Sequence, residues 1–138
     1  MGHPKVLCVD GDPRALAATQ MLLESKGYAV AIALDGTSAL ARAREPFNAV
    51  VVDYEMPDTY GALAASHLRS VRPELPIILL TWCHDIPSSA LREVTAVVLK
   101  GGDYPQRLLA KLHELVSRHD IEQSRCVPVQ SAFGHHLA

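Results

Sequence analysis

The sequence is poor in aromatic residues, at 5% of 138, and it has no basic excess, with 13 Lys and Arg against 15 Asp and Glu for a net charge of -2. Direct nucleic-acid binding usually needs a basic surface and rings on which bases stack, so no nucleic-acid partner is expected. Long apolar runs are also missing. The longest, Tyr28 to Leu34, falls well short of the roughly 18 residues a membrane span requires, and no membrane segment is expected. Asp10 is reached before any long apolar stretch can form, which predicts no cleaved secretion signal. Cys8, Cys83 and Cys126 share no close spacing, a pattern that fits neither a disulfide framework nor a zinc site. The seven His are scattered, and His135 with His136 cannot complete a metal site alone. A reduced, cytoplasmic protein is the expectation. P-loop, dinucleotide-binding glycine and metalloprotease motifs are absent as well.

What is present is ordinary globular material: 49% hydrophobic and 20% charged residues, enough for one domain with its own core. Five short apolar runs, Val6 to Val9, Ala29 to Leu34, Ala49 to Val52, Ile77 to Leu80 and Ala96 to Leu99, are mostly β-branched and lack polar alternation. That is the signature of strands buried on both faces of a helix-covered parallel sheet. Between them lie helix-period segments at Pro13 to Lys26, Thr37 to Arg44, Tyr60 to Arg72, a short stretch at Pro87 to Val94, and Tyr104 to Arg118. Asp12 before Pro13 reads as an N-cap followed by a residue that needs no N–H at N1, and Gly27 reads as a helix stop. Leu108, Leu112 and Leu115 share one face of the last helix. The alternation predicts an α/β fold, a doubly wound (βα)5 five-stranded parallel sheet. Residues 3–119 form the expected domain, and 120–138, with little periodicity, a flexible C-terminal tail.

In an open parallel sheet, ligands bind at the carboxyl ends of the strands. The first run is followed by Asp10, Gly11 and Asp12, the third by Asp53, the fourth by Thr81 and the fifth by Lys100. Two acids, a hydroxyl and an ammonium on one rim suit phosphoryl chemistry. A carboxylate can act as nucleophile toward phosphorus, a hard divalent cation held by acidic oxygens neutralises the transferring group, and Lys and Thr bind its remaining oxygens. Without the cation, neighbouring carboxylates repel.

From Pro4 to about His119 the chain resembles a response-regulator receiver domain of two-component signalling. The stretch VVVDYEMPDTYG at Val50 to Gly61 is similar to that family's phosphoacceptor strand and loop, KVLCVDGDP at Lys5 to Pro13 to its acidic first loop, PIILLT at Pro76 to Thr81 to its fourth strand, and AVVLK at Ala96 to Lys100 to its fifth. The resemblance implies a flavodoxin-like sheet in the order 2-1-3-4-5. It further implies Asp53 as phosphoacceptor, Asp10 as a member of the acidic pocket, Glu55 as donor of a main-chain carbonyl to Mg²⁺, Thr81 as switch hydroxyl and Lys100 as phosphoryl partner. Its partners would be a histidine kinase or phosphotransfer protein and a downstream protein target. Catalysis would be limited to the domain's own phosphorylation and dephosphorylation. Receivers often pair through helical faces, but no residue here selects a homodimer face.

Several positions depart from the family pattern. Gly11 stands where a second acid usually binds Mg²⁺, which predicts weak Mg²⁺ binding, by the ~10 to 100-fold that lost supporting groups cost. Asp12 and the Glu55 side chain are the candidates to compensate through water, although Asp12 is expected to be occupied in capping. Trp82 follows Thr81, where a small residue is usual, and is expected to lid the pocket. Gly101 and Gly102 replace the usual Pro after Lys100, and Val97 occupies a common aromatic switch position. These departures support a competing expectation, a degenerate receiver that binds partners independently of phosphorylation. A remoter one is a haloacid-dehalogenase-like phosphatase with Asp10 as nucleophile and Asp12 as acid/base, whose required later acidic pair is missing.

Overall fold

Each of the five apolar runs forms a strand, and the helix-period segments separate them. The computed structural model describes residues 2–56 and 61–137, with side chains described as far as Asp120. The elements are β1 (Lys5–Val9), α1 (Pro13–Glu24), β2 (Ala29–Ala33), α2 (Gly36–Ala41), β3 (Ala49–Asp53), α3 (Gly61–Val71), β4 (Ile77–Thr81), α4 (Ser88–Leu91), β5 (Ala96–Leu99) and α5 (Tyr104–Leu137). The strands make one parallel sheet in the order β2-β1-β3-β4-β5, the doubly wound architecture expected from the sequence.

Successive strand residues point to opposite faces, so the sheet divides its apolar side chains between two cores. Leu7, Val9, Val50, Val52, Ile77 and Leu79 pack on one face with Ala39 of α2 and Ala64, Ala65 and Leu68 of α3. Val6, Cys8, Val51, Ile78, Leu80 and Val98 pack on the other with Leu16 and Leu23 of α1 and Leu108, Leu112 and Leu115 of α5. Every residue of β3 and β4 is buried. The outer strand β2 departs from the expectation of burial on both faces, because an edge position leaves Ala29 and Ile32 open to solvent.

Local chemistry sets the helix ends. The Asp12 carboxylate accepts the Arg14 N–H at 3.0 Å, as the N-cap reading required, and Asp35 accepts the Ser38 N–H at 2.7 Å to start α2. Helix α1 stops at Glu24, two residues earlier than expected, and the Tyr28 N–H returns to the Leu23 carbonyl at 3.1 Å. Tyr60, expected to open the third helix, lies outside the described residues. Helix α4 is a single turn with no side-chain cap. The largest difference is at the end of α5, expected at Arg118, which instead continues as helix to Leu137; the first turns past Arg118 hold no Gly or Pro, and Pro128 and Gly134 further on lie within the helix without ending it. Among the described residues no helix is long and apolar enough to cross a membrane.

Cys8 lies in the middle of β1 at 1% exposure. Burial, reinforced by the nearby Asp10 charge, pushes its thiol up to about 12. Since the thiolate is the reactive species, iodoacetamide is expected to leave Cys8 unmodified in the folded protein while the half-buried Cys83 reacts. Peptide mapping after timed labelling reads this directly, and equal rates at the two sites would contradict the packing of β1.

Candidate functional site

Because all five strands run the same way, their carboxyl ends share one rim, and a cleft of about 460 Å³ opens there between Asp10, Asp53, Glu55, Trp82, Lys100 and Tyr104. Asp10 is held just past β1 by its N–H to the Ala33 carbonyl at 3.1 Å, and its Oδ1 accepts the Asp12 N–H at 2.9 Å. Asp53 ends β3 beside Leu80 of β4. Lys100 leaves β5 with its N–H on the Thr81 carbonyl at 2.8 Å, and its ammonium reaches across to Asp53 Oδ1 at 2.5 Å. The Asp53 side chain is 7% exposed and that of Lys100 16%, so this ion pair is largely screened from water and its geometry is held by the sheet.

The charges are not balanced by that pair alone. Burial is the main cause that raises the Asp10 carboxyl above its ordinary range; the Asp12 N–H pulls the other way, the Asp53 charge raises it further, and Lys100 partly offsets that. Burial would lower the Lys100 ammonium, but the hydrogen bond and charge of Asp53, with the charges of Glu55 and Asp10, leave it raised. Two neighbouring acids, only one of them in contact with the ammonium, fit a hard divalent cation, which relieves such repulsion. The fit is a lean one. Gly11 lines the cleft without a side chain, and among the described residues no three Asp, Glu, His or Cys side chains form a ready metal-binding cluster.

The sequence-predicted residues therefore fall into two groups. Asp10, Asp53 and Lys100 meet. Asp12 borders the cleft, but its carboxylate is spent on the Arg14 N–H. Thr81 is fully buried behind the rim, and its hydroxyl donates to Glu55 Oε2 at 2.5 Å. Glu55, considered above for its main-chain carbonyl and as a water-mediated compensator, thus places its carboxylate on Thr81 and 3.7 Å from the Lys100 ammonium. Trp82 is 64% exposed and borders the cleft beside Asp53 rather than sealing it. Gly101 and Gly102 have φ of 104° and 56°, left-handed values that glycine takes without strain. They form the turn that carries the chain from Lys100 into α5, with the Tyr104 N–H on the Gly101 carbonyl at 3.1 Å.

Sequence reasoning missed Tyr104 as a cleft residue, and it missed the part Gly61 plays. Gly61 opens α3 with its N–H on the Tyr54 carbonyl at 3.1 Å, so close to the β3 exit that an added Cβ would stand 2.7 Å from Tyr54 Cα. The obstructing atoms are backbone and cannot rotate away. Gly61→Ala is expected to cost about 3 kcal/mol in stability, at the upper end of ordinary overpacking. Urea unfolding measures it; an unchanged midpoint would show that the β3 exit yields freely.

The profile of the response regulator receiver domain matches residues 6–100. Over 104 residues the chain is 36% identical to a probable transcriptional regulatory protein, TcrX, of Mycobacterium tuberculosis, covering 74% of this chain and 42% of that protein. It is 39% identical over 84 residues to the sensor histidine kinase GacS of Pseudomonas protegens, covering 56% of this chain and 9% of that one. The chain thus spans less than half the length of these curated relatives. Among solved structures, a CheY-like receiver domain protein of Methanospirillum hungatei superposes with a TM-score of 0.81 at 28% identity, over 88% of this chain and 99% of that one. The response regulator TrrA of Thermotoga maritima, solved in complex with Mg²⁺ and BeF, gives 0.75 at 26% identity, over 81% and 98%.

Proposed function

Because the chain belongs to the response regulator receiver family, we propose that Asp53 accepts a phosphoryl group from a histidine kinase or phosphotransfer protein, and that the modified domain passes its state on by binding another protein. The observation that carries this reading is the 2.5 Å pairing of Lys100 with Asp53 inside a cleft that Asp10 also lines. A carboxylate oxygen of Asp53 forms the new bond to phosphorus while the donor's bond to phosphorus breaks, and the donor group leaves with its electron pair. Lys100 keeps its proton throughout and lies where the phosphoryl oxygens gather charge. This catalysis is mainly positioning and electrostatics, which the sheet supplies by fixing both partners at strand ends.

Asp10 and Asp53 would hold a divalent cation, with the Glu55 main-chain carbonyl. Such an ion, Mg²⁺ in the reading from resemblance, supplies charge neutralisation for the group being transferred. The test is incubation with acetyl phosphate and Mg²⁺ followed by intact-mass measurement. Gain of one phosphoryl group, lost when Mg²⁺ is chelated, is the expected result; no gain under any Mg²⁺ concentration would overturn the proposal.

Gly11 and the diversion of Glu55 favour a second reading, a receiver fold that binds its partner without phosphorylation. Millimolar or weaker Mg²⁺ affinity together with partner binding that survives Asp53→Asn would decide for it. The phosphatase alternative draws no support from the geometry, because the carboxylate it needs as acid/base, that of Asp12, caps α1.

A further inference from the structure

Glu55 is two residues past Asp53, yet its carboxylate turns to a different set of groups. Oε2 accepts the Thr81 hydroxyl at 2.5 Å, and Oε1 accepts the Trp82 backbone N–H at 3.4 Å and lies 3.7 Å from Lys100 Nζ. The Thr81 oxygen itself accepts the Cys83 N–H at 2.9 Å, so its one proton is committed to Glu55. Two donors from the end of β4 and the ammonium that follows β5 thereby converge on one carboxylate, and the same ammonium bridges it to Asp53. This is the donor set of an oxyanion site, and the chain fills it with an anion of its own.

A phosphoryl group on Asp53 would bring its own negatively charged oxygens to that ammonium and to the neighbouring donors. Two anions cannot share them: like charges at such separations repel, and each donor satisfies one acceptor well. Resting on the receiver reading above, we infer that the Glu55 carboxylate is a resident competitor for the phosphoryl site, which has to swing out before Asp53 can be stably loaded. The side chain can do so at little structural cost, since it is 39% exposed and follows the end of β3 rather than standing inside a helix or strand. The apparent affinity of a phosphoryl group or its mimic is then reduced by the fraction of molecules in which Glu55 already occupies the donors. Glu55 in this role is a positioning residue, acting through Thr81, Trp82 and Lys100.

The chain carries one tryptophan, and its own N–H belongs to this donor set, so Trp82 fluorescence reports on the exchange. Beryllofluoride is titrated at saturating Mg²⁺ into wild type, Glu55→Gln and Glu55→Ala, with fluorine NMR counting bound ligand independently of fluorescence and Asp53→Asn as the blank. Removing the resident charge is expected to lower the beryllofluoride midpoint about tenfold, on the scale of one charge-assisted hydrogen bond, with the midpoint for Mg²⁺ alone not lowered in parallel, since losing a nearby carboxylate does not strengthen cation binding. Beryllofluoride midpoints equal to or weaker than that of wild type, or Mg²⁺ midpoints that move by the same factor, would overturn the inference while the receiver reading stands. Failure of wild type and both variants to bind beryllofluoride would overturn the receiver reading and this inference with it.

Discussion

Replacing Asp53 with Asn is expected to abolish phosphoryl capture from acetyl phosphate while leaving the fold intact. The amide has nearly the same shape and can still accept a hydrogen bond from Lys100, so the sheet loses no packing. What it lacks is a carboxylate oxygen able to attack phosphorus. The loss should be complete in intact-mass spectra at a Mg²⁺ concentration where wild type gains one phosphoryl group. Asp53 is 5% exposed and adjoins both Asp10 and Lys100, so neutralising it relieves one repulsion and removes one attraction, and thermal unfolding should stay close to that of wild type. A variant that still gains the group would place the acceptor elsewhere.

Lys100→Met should be nearly as damaging to rate. Among the described residues its ammonium is the one cationic side chain lining the cleft, and it contacts Asp53 at 2.5 Å. Removal of a single preorganised donor in a partly dry site commonly costs about 10² to 10³ in rate, and that slowing is the expected result for phosphorylation from acetyl phosphate. Methionine keeps the apolar stem and its packing, so circular dichroism should be unchanged. A rate within a few-fold of wild type would mean that Lys100 serves the fold and not the chemistry.

The strands were legible because their signal is local. Five short apolar runs rich in Val and Ile and without polar alternation pointed to sheet buried under helices, and parallel order then sends Asp10, Asp53 and Lys100 to one rim. Asp12 with Pro13 announced the cap of α1 in the same way. The exposure of Ile32 was not legible, since a residue's hydrophobicity does not say whether its strand lies at an edge. Nor was the continuation of α5 past Arg118: loss of amphipathic period marks where a helix stops packing, not where it stops being helical. The Glu55 carboxylate escaped for a third reason. Its direction is set by the Thr81 hydroxyl and the Lys100 charge, 26 and 45 residues away, and nothing in the stretch around Glu55 encodes them. Gly61 belongs with it, because its need for no side chain arises from backbone brought near only by the finished fold.

The distribution of the site along the chain also imposes an order in time. Asp53 and the ammonium that faces it are 47 positions apart, and the ammonium follows the final strand. During synthesis, a nascent polypeptide that has released β1 through β4 already displays both carboxylates but has no counter-charge for them. On the phosphoacceptor reading proposed above, competence would therefore wait for β5 to pair with β4 at the sheet margin and bring Lys100 to Asp53.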